Sequence, residues 1–139
     1  MTLQELNQHY ILRQRLAKAE EMLNSMISAA SLGAQVLTGM PHGSGVRDKV
    51  GDLAIEIAEL DSSADFLRKK IQAQEKAILP FINSIENFQT RMIFRLRFIR
   101  GMTWGEVAAV IGGGNTEEAV KSSCYRFLRS CNGETPHDA

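Results

Sequence analysis

The stretch TEEAVKSSCYRFLR, residues 116–129, concentrates side chains suited to gripping another molecule. Lys121 can donate to guanine O6 and N7 or to a phosphate, Ser122 and Ser123 can bond a base edge or a phosphate, and Glu118 can accept from cytosine N4. Thr116 and Arg126 flank them, and Arg100 stands one helix upstream. These residue types suit nucleic-acid contact. They do not suit bond-making, because no nucleophile is spaced so as to receive a base, so an enzyme is not expected. His9, His42 and His137 are scattered and share no ligand spacing with Cys124 or Cys131, which argues against zinc. The two cysteines lie seven residues apart, about two turns along one helix face and beyond disulfide reach, and read as reduced thiols. The GSG at 43–45 lacks the lysine and the Ser/Thr of a phosphate-binding loop, and no cofactor is expected.

Three short helices must hold these side chains. Asn87 can cap the first, whose apolar positions Phe88, Met92, Ile93, Leu96 and Ile99 recur at helical spacing until Gly101 stops it. Thr103 followed three residues later by Glu106 forms a capping box for the second, with Trp104, Val107, Ala108 and Ile111 facing inward. Trp104 reads as a core plug. GGGN breaks the chain, and Asn115 with Glu118 repeats the capping pattern for the third, which turns Val120, Cys124, Phe127 and Leu128 inward. Helix, tight turn, helix is the sequence form of a helix-turn-helix.

The N-terminal two thirds read differently. Residues 3–31 lack proline and glycine, and Leu12, Leu16, Ala19, Leu23, Met26 and Ala30 step by four and three. A glycine-rich stretch follows, read as a mobile connection over 32–45. A second seam then runs from Val46 through Val50, Leu53, Ile57, Leu60, Ala64, Leu67, Ile71, Gln74, Ile78 and Phe81 to Ile85. Two such helices make a hairpin, or each offers a seam to a second subunit, so a homo-oligomer such as a dimer is expected. Gln74 reads as a partly exposed position near the helix end, with a register specifier as the alternative. Pro80 should kink or stop the helix near Leu79. The acids Asp48, Asp52, Glu56, Glu59, Asp61 and Asp65 lie mostly off the seam, as solvated charges do.

Lys plus Arg and Asp plus Glu balance at 16 each over the 139 residues, yet the charge is unevenly spread. Residues 86–133 hold seven basic and four acidic groups, a net +3, and the remainder a net −3. That asymmetry favours an anionic partner for the C-terminal third. No apolar run approaches membrane-spanning length and the first residues are too polar for a signal peptide, so a cytoplasmic protein is expected, with no membrane partner. The resulting expectation is an all-α chain: a long N-terminal helical hairpin or coiled coil over 1–85, a helix-turn-helix over 86–131 and a flexible tail over 132–139.

RMIFRLRFIRGMTWGEVAAVIG followed by TEEAVKSSCYRFLR resembles region 4 of bacterial sigma factors over about residues 85–130. The coiled-coil front, the PHGSG loop and the GGGNTE turn resemble, over nearly the whole chain, small phage and prophage regulators related to the ArpU and RinA late-gene activators. The resemblance implies a sigma-region-4-like helix-turn-helix with its last helix in the major groove. It further implies transcription regulation at promoter DNA in a bacterial cell, with host RNA polymerase as a second partner. Ser122, Ser123 and Ala119 stand where such proteins often carry Arg or Gln, and Glu117 and Glu118 would repel phosphate while stabilising the helix start. Modest affinity for double-stranded DNA follows, with dimerisation or polymerase supplying the rest. Two other readings are a DNA-packaging recognition subunit like a terminase small subunit, and a protein-interaction module that has lost DNA binding.

Overall fold

A computed structural model describes residues 1–37 and 44–133, with side chains described over 1–32 and 53–133. The described residues are all helical: α1 (Leu3–Leu37), α2 (Ser44–Asn83), α3 (Phe88–Phe94) running into a π-helical turn (Arg95–Ile99), α4 (Trp104–Ile111) and α5 (Glu117–Cys131). α1 opens on a capping box of its own. The Thr2 hydroxyl accepts the Glu5 N–H at 3.2 Å, and the Glu5 carboxylate accepts the Thr2 N–H at 3.2 Å.

Helix ends depart from the sequence expectation in two places. The connection expected at 32–45 is helical up to Leu37 and again from Ser44, and residues 38–43 lie outside the described residues. A glycine costs a helix only about 1 kcal/mol relative to alanine, so Gly33 alone does not end α1. α2 likewise passes Pro80 and ends at Asn83. Proline removes one donor, but the residues just beyond it, Ile82 and Ile85, are 0% and 2% exposed, and their burial holds the last turn in place. The Ser84 N–H and hydroxyl close it on the carbonyls of Pro80 (3.0 Å) and Phe81 (2.6 Å).

Packing divides the chain into two units, and not at the expected 85/86 boundary. Residues 15–70 form one; Met1–Gln14 join the chain from Ile71 onward in the other. Heptad steps report that a side chain is buried without reporting its neighbour, so a seam that starts at Leu12 carries no sign of this division. In the unit of residues 15–70, Ala19, Leu23 and Ala64 are buried and Arg68 pairs with Glu20 at 3.3 Å. Leu53, Ile57, Leu60 and Leu67 of the seam are half-buried; the side chains of Val46 and Val50 lie outside the described residues.

The other unit has an aromatic core. Leu6, Ile82, Ile93, Phe94, Phe98, Val107, Val120 and Cys124 are fully enclosed. Phe94 meets Phe98, Phe81 and Phe127 at centroid distances of 5.7, 6.0 and 5.5 Å. In the π-helical turn the Arg100 N–H reaches back five residues to the Arg95 carbonyl at 3.0 Å. Phe88, expected on the apolar stripe, is 68% exposed, whereas Phe94 and Phe98 fill the centre.

A polar cluster crosses this core. His9, 0% exposed, places Nδ1 2.8 Å from Gln74 Oε1, while Nε2 accepts the Arg13 Nε–H at 3.2 Å. Arg13 in turn grips Glu75. Gln74 is therefore the partner of a buried histidine on α1, a pairing that its place in the seam did not reveal. The acceptor role of Nε2 assigns the imidazole proton to Nδ1, and protonating Nε2 would set N–H against N–H. Burial, above all, pushes the His9 pKa below its ordinary 6.5 despite the Gln74 hydrogen bond, and the positive charge of Arg13 adds to the lowering. The folded pKa lies below the unfolded one, so the unfolded chain takes up the proton first. The stability held by neutral His9 is complete above pH 6.5 and is lost as pH falls toward the depressed folded value. Thermal melts followed by circular dichroism should show the parent losing more stability than His9→Asn on going from about pH 7.5 to about pH 5.5. Equal losses would assign the acid sensitivity to other groups.

Candidate nucleic-acid interface

Local sequence builds the pair α4 and α5 in detail. The Thr103 hydroxyl accepts the Glu106 N–H at 3.2 Å and the Glu106 carboxylate accepts the Thr103 N–H at 3.1 Å, the reciprocal capping box expected from T-x-x-E. Trp104, Val107 and Ala108 are buried and Ile111 is half-buried. The Trp104 ring stands edge-to-face against Phe98 and Tyr125 at 6.4 and 6.2 Å, which bears out its reading as a core plug. α4 packs against α5, whose inward residues Val120, Cys124 and Leu128 are buried and whose Phe127 is half-buried.

Between them Gly112, Gly113 and Gly114 take φ values of 67°, 66° and 79° in succession. Only glycine enters this region at no steric cost. Gly113→Ala should cost about 1 kcal/mol in urea denaturation and Gly113→Asn less, because asparagine tolerates left-handed backbone. Equal costs would locate the constraint elsewhere than in the backbone.

The cap of α5 is displaced by one residue from the expected Asn115. Thr116 is the cap, its hydroxyl accepting the Ala119 N–H at 3.1 Å, and Asn115 instead donates from Nδ2 to the Gly112 carbonyl at 2.8 Å. Both residues can cap, and the tight turn claims the amide. Glu118 therefore lies in the first turn of α5 rather than closing a capping box.

The remaining site residues fall as follows. Thr116, Glu118, Ser122 and Arg126 are exposed, Lys121 and Ser123 are half-buried, and all six lie within one helix and its cap. The Lys121 ammonium sits 5.9 Å from the Tyr125 ring centroid. Lys121 and Arg126 are about 140° apart around the helix, so they cannot serve one base pair together. Arg100 is exposed at the end of the π-helical turn, on a different element from the other six.

No protein family, curated protein or solved structure matches the chain.

The other arginines of α3 and its π-helical turn are engaged internally, which sequence did not signal. Arg91 donates to the Ile85 carbonyl at 3.0 Å and Arg95 to Asn83. Arg97 donates to the Met102 carbonyl at 3.1 Å and stacks its guanidinium 3.6 Å from the Tyr10 ring centroid and 4.5 Å from that of Trp104. Arg100, Lys121 and Arg126 form no ion pair among the described residues. Arg13, tied to Glu75, has its pKa lowered by burial and by the charge of Arg100, so the two cations feel one another. Gln14 of α1 donates to the Gly101 carbonyl at 2.7 Å and fixes the corner from which α4 departs.

The two cysteines are free, and although seven residues apart on α5 they differ in exposure, because Cys131 lies at the end of the helix. Burial pushes the Cys124 thiol up to about 12, which leaves no nucleophilic thiolate there near neutral pH. Among the described residues no group of three or more His, Cys, Asp and Glu could hold a metal, and no helix is long and apolar enough to cross a membrane.

Proposed function

We propose that α4, the glycine turn and α5 form a helix-turn-helix of the sigma region 4 kind, which presents α5 to the major groove of double-stranded DNA. The long helices α1 and α2 form a hairpin. The chain is then a phage or prophage transcription regulator acting at a promoter in the bacterial cytoplasm, with host RNA polymerase as its second partner. One observation carries this reading: the outward residues of α5 include Ser122 and Arg126, exposed, with Lys121 half-exposed just before them, and neither cation is held by a carboxylate of the described residues. Groups of that kind reach base edges and phosphates from a helix lying in a groove. Glu117 and Glu118, both exposed, work against phosphate and limit the affinity of one module.

Val110, 58% exposed on α4, together with those two acids, favours a protein contact as a second reading. Gel shifts of the whole protein on its own upstream DNA, with and without polymerase, separate the two. A shift by the protein alone supports direct reading of DNA, and a shift only with polymerase supports the joint complex. No shift in either case leaves a protein-binding module.

A further inference from the structure

In the unit of residues 15–70, α2 carries apolar side chains on two opposite faces. Ala64 lies on the buried one. On the other, Ile55 and Phe66 are 59% and 65% exposed, and the eleven steps from one to the other make about three turns, so they share one line along the helix. Lys69 and Lys70, both exposed, follow Phe66 by about one turn and flank that line. Beside the same helix runs a groove of ≈ 310 Å³ lined by Met22, Met26, Glu56, Glu59, Leu60 and Ser63. Its methionines and leucine make an apolar floor that can adapt to an aromatic ring, and its two glutamates make an acidic edge. The chain thus displays an exposed aromatic followed by two cations, and also an apolar groove edged by two anions.

We propose that this unit associates with a second copy of the chain, α2 against α2 in antiparallel orientation, each Phe66 entering the groove of the other copy. With Phe66 at the level of the partner's Ser62 and Ser63, antiparallel direction brings Lys69 of one copy to the level of Glu59 of the other. Parallel direction would carry Lys69 away from both glutamates toward the other copy's own lysines. The contact is self-complementary and occurs twice about a two-fold axis, as a closed dimer requires. Lys69 now pairs with Asp65 of its own helix at 3.1 Å, an exposed pair that is readily exchanged. The contact uses no residue of α4 or α5 and does not depend on DNA binding.

Sedimentation velocity of the full chain tests it. The parent is expected to be a dimer at micromolar concentration, and Phe66→Ala should raise the dissociation constant roughly tenfold or more. The double variants Lys69→Glu/Lys70→Glu and Glu56→Lys/Glu59→Lys should each be monomeric. Mixed together they should form a dimer again, since each then meets the charge it needs. All five replaced side chains are exposed, and circular dichroism checks that helix content is kept. A monomeric parent, a dimer indifferent to Phe66→Ala, charge-reversed variants that still dimerise, or a mixture that stays monomeric would each overturn the proposal.

Discussion

Phe98→Ala should destabilise the unit that holds α3–α5 by about 3–5 kcal/mol, most of the stability of a small domain. Phe98 is 0% exposed and touches both aromatic neighbours that organise this core, Phe94 at 5.7 Å and Trp104 at 6.4 Å. Truncation removes the ring's burial and leaves a cavity that two large rigid neighbours cannot close. Cys124 and Val120 would lose their enclosure along with it, so α5 should lose order together with α3. Urea denaturation followed by circular dichroism measures the cost. A loss below about 1 kcal/mol would mean that the site collapses around the alanine and that the aromatic cluster is not what holds the unit together.

A chain beginning at Arg15 should lose the same unit altogether. Met1–Gln14 contribute Leu6 and His9, each 0% exposed, the Tyr10 ring beneath the Arg97 guanidinium, and the Gln14 hydrogen bond to Gly101. Without them Ile78 and Ile82 of α2, and Ile85 just beyond it, lose core partners such as Leu6, and Arg97 loses one of its two stacked rings. Leu6 alone corresponds to about 2–5 kcal/mol, so removal of the whole segment exceeds what a domain of this size holds in reserve. Amide hydrogen exchange reports it: the amides of α4 and α5 should lose protection. Retained protection there would show that residues 71–133 fold alone and that the N-terminal turns only decorate them.

Local chemistry was legible in the sequence and long-range pairing was not. T-x-x-E announces the α4 cap, Asn87 the start of α3, and Gly101 the end of the helical stretch that runs on through the π-helical turn, because each depends on residues within one turn. Asn115 and Thr116 competed for the α5 cap, and only the geometry of the three-glycine turn decides between them. The proline at 80 reads as a stop because propensity is local, whereas the burial of Ile82 and Ile85 carries α2 past it, and Gly33 alone costs too little to end α1. The return of α1 to the core of α3–α5 left no mark, since a heptad seam is the same whichever surface covers it. His9 with Gln74 was invisible for the same reason: the two are 65 residues apart. Of the seven candidate contacts, six share α5 and its cap, while Arg100 stands on a different element.

The most direct measurement of the central claim is fluorescence anisotropy of the full chain titrated onto an upstream promoter duplex and onto random duplex, at several salt concentrations, for the parent, Lys121→Ala and Arg126→Ala. Lys121 lies nearer the α5 N-terminus and should read a base or its adjacent phosphate. Its loss should weaken promoter binding by about 1–3 kcal/mol and narrow the gap between the two duplexes. Arg126, exposed and further along the helix, should hold the backbone, so its loss should weaken both duplexes alike and lower the salt slope by about one phosphate's worth. Unchanged affinity and unchanged salt slope in both variants, with the fold intact by circular dichroism, would contradict the assignment of α5 as the DNA-reading helix.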